Sequence, residues 1–161
     1  MDSASTERTL HAAVEGAVRL TKEGNFEDAL PVFEEALPQL TGGDLADKRA
    51  AAAAFSYYGV CVAMVRRKYA EAVEYCNVSL RSNSLDPDHR ANLALVYLER
   101  NDREKAVEVL GAGLRLDSRN VALNRILDQI GRRGKPVVPF LPRSNPLNVW
   151  LGKKLRRRQE P

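Results

Sequence analysis

The chain is 161 residues long, enough for one domain with its own core or for a short repeat array and a tail. Hydrophobic residues make up 44% but aromatics only 6%, and Ala and Leu supply most of the apolar mass, which favours helices. No apolar run approaches the roughly 20 residues that cross a bilayer, and the polar start Met1–Arg8 lacks the apolar stretch of a secretory signal, so a cytoplasmic location is expected. The net charge of +4 conceals a split: residues 132–161 hold nine cations against the single acid Glu160, which puts +8 on that segment and −4 on the rest. Five of the eight prolines also fall there, so a boundary is expected near Gly131–Gly134.

The first helix is expected over Thr9–Lys22, where apolar and small residues recur at helical spacing and Gly16, Ala17 and Leu20 mark its packing face. A turn at Gly24-Asn25 leads into a second helix with Ala29, Phe33 and Ala36 spaced four and then three apart. Pro31 falls inside that helix, where its missing N–H costs about 3 kcal/mol unless the helix kinks. Lys48–Arg66 reads as the next helix, with Tyr58, Gly59 and Val62 in the roles of a large, a small and a further apolar residue. After the turn Arg67-Lys68-Tyr69 the spacing returns as Ala72, Cys76 and Ser79, followed by a long exit loop to Pro87. Arg90–Glu99 carries Leu93, Ala94 and Tyr97, and after Asn101-Asp102 the spacing appears a third time as Ala106, Leu110 and Gly113. Val121–Arg132, with Leu123, Ile126, Leu127 and Ile130 on one face, reads as a final capping helix.

A thrice-repeated turn followed by Ala, then a large and a small residue, resembles the tetratricopeptide-repeat (TPR) family, whose period is about 34 residues. Pro87–Asn120 fits that period without gaps, whereas the middle copy needs one extra residue before Tyr69 and the first carries Pro31. The resemblance implies an all-α fold of helix-turn-helix repeats stacked into a right-handed superhelix. The domain would cover 1–132, with repeats over 9–42, 48–84 and 87–120 and a cap over 121–132, leaving 133–161 as a Pro-rich basic tail. It also implies a concave groove lined by the first helix of each pair. Here that lining would be Val14, Val18, Ser56, Tyr57, Val60, Met64, Asn92, Leu95, Leu98 and Glu99.

TPR proteins that grip acidic C-termini of heat-shock chaperones use a clamp of Lys, Arg and Asn, but Val14, Val18, Tyr57 and Asp88 stand at those places here. An apolar groove suits a peptide with apolar anchors, and Asn92 offers both a donor and an acceptor to a ligand backbone. The competing reading is that Val14, Val18 and Leu95 pack only against neighbouring helices.

No phosphate loop, nucleophile elbow or zinc-protease motif is present, and an enzyme is not expected. Cys61 and Cys76 are fifteen residues apart on apolar helical faces and read as buried, inert thiols. His11 and His89 belong to no ligand-like cluster and read as surface or groove residues. No metal or other cofactor is expected. Glu27, Asp28, Glu34, Glu35, Glu71, Glu74, Glu104 and Glu108 read as solvated helix exteriors.

In the tail, Lys135–Pro142 is too proline-rich for a helix and, being apolar, reads as a segment that docks on its own chain, a second copy or a partner. A short amphipathic helix beginning at Pro146 would put Leu147, Trp150, Leu151 and Leu155 on one face and five cations at its end. With Phe140 and Leu141, these are the expected tail contacts, made to the protein's own body, to a partner helix, or to an anionic RNA or membrane surface. The ending resembles those of small bacterial TPR proteins, which implies no activity. The function expected is a non-catalytic adaptor or scaffold that binds a partner peptide in the groove. The alternatives are a dedicated chaperone, similar in architecture to the class II chaperones of type III secretion, and tail-mediated binding to RNA or membrane. Self-association through the tail also stays open.

Overall fold

The computed structural model describes residues 3–41 and 48–131, with side chains described from Arg8 and, after the gap, from Arg49. The chain divides into two compact units, Met1–Gln129 and Ile130–Pro161, and nearly all of the second lies outside the described residues. Among the described residues the fold is all-helical: α1 (Ser3–Glu23), α2 (Phe26–Thr41), α3 (Lys48–Cys61), α4 (Tyr69–Ser82), α5 (Pro87–Glu99), α6 (Arg103–Leu116) and α7 (Val121–Ile130). A π-helical turn, Val62–Arg66, continues α3. None of these helices is long and apolar enough to cross a membrane.

One helix-turn-helix unit recurs three times, as α1–α2, α3–α4 and α5–α6. Each internal turn contains one left-handed residue, Gly24 (φ 90°), Arg67 (φ 54°) or Asn101 (φ 64°), two positions before the second helix begins. In the first and third turns a backbone N–H reaches five residues back, Asn25 to the Leu20 carbonyl at 2.9 Å and Asp102 to the Tyr97 carbonyl at 2.8 Å. That bond satisfies a carbonyl left over at the helix end. Each second helix then opens with one equivalent bond: the N–H of Ala29, Ala72 or Ala106 donates to the carbonyl of Asn25, Lys68 or Asp102.

The spacing of Ala, large and small residues is the buried face of the second helices. Ala29, Ala72 and Ala106 are fully buried, as are Phe33 and Cys76, with Leu110, Ala36, Ser79 and Gly113 beside them. The small positions of the first helices, Ala17, Gly59 and Ala94, are buried too. Gly59 shows why size is restricted: a methyl group there would lie 2.8 Å from the Ala72 carbonyl oxygen and 2.9 Å from Cys76 Sγ. A methyl on Gly113 would lie 2.7 Å from Cδ2 of Leu123, the residue that seats α7. The exposed residues of α7 are Arg125, Asp128 and Gln129, together with Val121 at its start.

The additional residue in the middle unit is absorbed as the π-helical turn Val62–Arg66, the usual way for a helix to accommodate one insertion without losing its packing face. Helix α2 runs unbroken through Pro31 and Pro38. Both prolines are exposed and seven residues apart, so the carbonyls they leave unbonded are on the solvent side, where water serves them.

Helices follow one another in contact, α1 on α2, α2 on α3, α3 on α4, α4 on α5 and α5 on α6. The first helices also touch across units, α1 on α3 and α3 on α5. Among the described residues no such approach joins α2 to α4 or α4 to α6.

Candidate functional site

The layer formed by α1, α3 and α5 carries the residues expected to line a groove. Val14, Ser56, Tyr57, Val60 and Asn92 are buried, Val18, Met64, Leu95 and Leu98 are half-buried, and Glu99 is exposed. The accessible apolar part of this set is therefore Val18 from α1, Met64 from the π-helical turn, and Leu95 and Leu98 from α5. The buried members have structural roles. Asn92 Nδ2 donates to Ser56 Oγ at 2.9 Å, tying α5 to α3, and Cys76 Sγ approaches the Ser56 carbonyl at 3.6 Å.

The polar centre of the layer is Asp88. Its side chain begins in the first turn of α5, which is capped by Asp86 accepting the Asp88 N–H at 2.9 Å with Pro87 in the first turn. Asp88 Oδ1 accepts from Asn120 Nδ2 at 2.8 Å. Asp88 Oδ2 accepts from the Tyr57 hydroxyl at 3.1 Å and from Lys22 Nζ at 3.1 Å. One carboxylate thus joins α1, α3, α5 and the residue that caps α7, since Asn120 Oδ1 also accepts the Leu123 N–H. Burial disfavours the charge on Asp88, but the bonds from Asn120 and Lys22, the Lys22 charge and the Tyr57 hydroxyl outweigh it and hold the carboxyl below its ordinary range. Burial, followed by the Asp88 charge, pushes the Tyr57 phenol far up, so it remains a donor.

A second cluster joins α2, α3 and α4. Phe33, Tyr58, Tyr75 and Phe55 form a chain of ring contacts with centroids 6.5, 4.7 and 6.1 Å apart. The Tyr58 hydroxyl donates to Glu34, which also pairs with Arg66 at 2.6 Å. The Tyr75 hydroxyl donates to Glu71, which pairs with Lys68. Glu34 and Glu71, read from sequence as solvated exteriors, are instead half-buried acceptors for tyrosines. The spacing of Glu71 and Tyr75, four apart on one helix, was the available signal for the second pair. Burial raises the Tyr58 phenol to about 12, with the Glu34 charge adding to it.

Both thiols are free and buried. Burial raises Cys61 to about 11, against a weaker opposing bond from Thr21, and raises Cys76 to about 12. Thiols so protonated are poor nucleophiles. His89 departs from expectation: it is only 2% exposed, in the first turn of α5, where it also has a hydrogen bond with the backbone of Asn83 in the loop that leads in from α4. Burial disfavours its charged form, more than Asp86, the Asn83 backbone and Asp88 restore it, so its pKa lies below the usual value.

Among the described residues no group of three or more His, Cys, Asp or Glu is arranged to hold a metal ion. Two open depressions are lined by other residues. One, of about 550 Å3, is lined by Arg49, Ser82, Asn83, Leu85, Asp86 and Pro87. The other, of about 740 Å3, follows α7 from Arg119 to Gln129. Neither contains an expected groove residue. Both are open and shallow, a poor shape for enclosing a small molecule. The expected tail contacts Phe140, Leu141, Leu147, Trp150, Leu151 and Leu155 lie outside the described residues.

Compared with known proteins, the chain matches no protein-family model. No curated protein matches it well enough to count as a relative.

Proposed function

We propose that this chain is a TPR-type, non-catalytic binding protein of the cytoplasm that holds an extended segment of a partner protein against its first helices. The observation that carries this reading is the asymmetry of the two layers: α3 approaches both α1 and α5, whereas α4 approaches neither α2 nor α6. A stack whose one layer is closer spaced than the other curves toward that layer, which makes the first helices the concave side. Val18, Met64, Leu95 and Leu98 give that side a half-buried apolar strip, a surface that gains by being covered. Buried, protonated thiols and carboxylates committed to tyrosines and lysine leave holding, rather than turnover, as the role these groups support.

The test is affinity capture from the native source with the intact chain, Leu95→Glu on the inner layer and Val107→Glu on the exposed side of α6. A partner retained by the intact chain and Val107→Glu but lost by Leu95→Glu supports the reading. Retention by Leu95→Glu, with its unfolding curve unchanged, refutes it.

A further inference from the structure

Lys22 occupies an unusual position on the inner layer. Its ammonium lies 3.1 Å from Asp88 Oδ2 and 5.5 Å from the centroid of the Tyr57 ring, so it rests on a carboxylate and an aromatic face together. It reaches there from the end of α1, across Tyr57 of α3, to α5, although α1 and α5 do not approach each other directly. The lysine side chain is 54% exposed and the aspartate 29%. An ion pair that open adds little net stability, because solvent screens it and a long side chain must be held in place. The acceptor, by contrast, is built in. Asn120 fixes Oδ1 and Tyr57 fixes Oδ2, the oxygen that Lys22 shares.

We propose that Lys22 is the internal occupant of a cation-binding subsite made by the Tyr57 ring and Asp88 Oδ2, and that the partner segment places a lysine or arginine there in its stead. This rests on the groove reading above and names the chemistry the groove selects: a basic side chain with apolar neighbours. The flanking surfaces fit that partner. Val18, Met64 and Leu95 are half-buried and apolar, and exposed Glu99 ends α5 one turn beyond Leu95. An arriving guanidinium stacks on the ring and bonds the carboxylate as the ammonium does now. It releases Lys22 to water at small cost.

A mere structural staple and a displaceable occupant respond oppositely to loss of Lys22. The probe is a set of capped, fluorescently labelled heptapeptides with a central arginine, lysine or glutamine between leucines and valines. Each is titrated against the full chain by fluorescence anisotropy. The arginine and lysine peptides are expected to bind about tenfold more tightly than the glutamine peptide. Lys22→Gln should tighten the arginine peptide by about two- to fivefold, the competition of an exposed pair having been removed. Asp88→Asn, which keeps an oxygen to accept from Asn120 and presents an amide N–H that the Tyr57 hydroxyl can accept, removes the charge and should weaken the arginine peptide by about tenfold and leave the glutamine peptide unchanged. Weaker arginine-peptide binding in Lys22→Gln would overturn the proposal, as would failure of every peptide to bind. If arginine and glutamine peptides bind alike and Leu95→Glu abolishes both, the cation subsite falls and the groove stands.

Discussion

Replacing Gly59 with alanine adds one methyl group at a close contact between α3 and α4. Elsewhere in a helix the change is favourable, since glycine is about 1 kcal/mol worse than alanine in a helix interior. At Gly59 the new carbon would meet the Ala72 carbonyl oxygen at 2.8 Å, Cys76 Sγ at 2.9 Å and Tyr75 Cβ at 3.3 Å. Two of these belong to backbone or to a fully buried side chain and cannot swing aside, so α3 and α4 must separate. Overpacking of this kind costs about 1–3 kcal/mol; with backbone among the atoms met the upper part of that range, about 2–3 kcal/mol, applies, and less the propensity gain of about 1 kcal/mol it leaves a net loss of roughly 1–2 kcal/mol. Gly16 on α1 is the internal control, with only the tip of Arg19 within reach at 4.0 Å. Gly16→Ala should therefore stabilise by about 0.5–1 kcal/mol. Urea unfolding followed by far-ultraviolet circular dichroism reads both, with the slopes compared to verify that a shifted midpoint reports stability. A Gly59→Ala variant as stable as the parent, or stabilised like Gly16→Ala, would refute the close-contact argument.

Arg67 closes the π-helical turn in the left-handed region at φ 54°, a conformation that costs a non-glycine residue about 1 kcal/mol, so Arg67→Gly should raise the urea midpoint by an amount worth about 0.5–1 kcal/mol, and a lower midpoint would contradict the strain. His89 couples stability to pH: its folded pKa lies below the unfolded value near 6.5, so the unfolded chain takes up the proton first and stability falls as pH drops through that value toward the folded pKa. Unfolding midpoints between pH 7.5 and 5.5 should fall for the parent and stay flatter for His89→Gln; equal slopes would remove His89 as the cause. The Asp88 contribution has the same sign but is lost at lower pH, as pH falls from the ordinary carboxylate value of about 4 through the lower folded pKa, which separates the two.

The three helix pairs were legible because burial imposes the same small and large residues at each equivalent contact, from Ala29 and Phe33 to Ala106 and Leu110. The count of one extra residue before Tyr69 was legible as well. Its form was not, since whether a chain loops out or winds into a π-turn depends on what packs along both sides of Val62 and Ala63. Asp88 was legible only as an acid at an unusual place. Its partners Lys22, Tyr57 and Asn120 lie 66, 31 and 32 residues away, and no local pattern brings them together. His89 was misread because an isolated histidine in a polar Asp-Pro-Asp context looks exposed, and its burial becomes visible only when α4 and α5 are in place. Of the expected groove, the sequence separated inner-layer residues from outer ones but not Tyr57 and Val60, which are core, from Met64 and Leu95, which reach the surface.

Hydrogen–deuterium exchange of the intact chain, alone and with its captured partner, tests the holding role most directly. Slowed exchange is expected in α1, α3 and α5, centred on the turns that carry Val18, Met64 and Leu95, with α2, α4 and α6 unchanged. Protection confined to the second helices would contradict it.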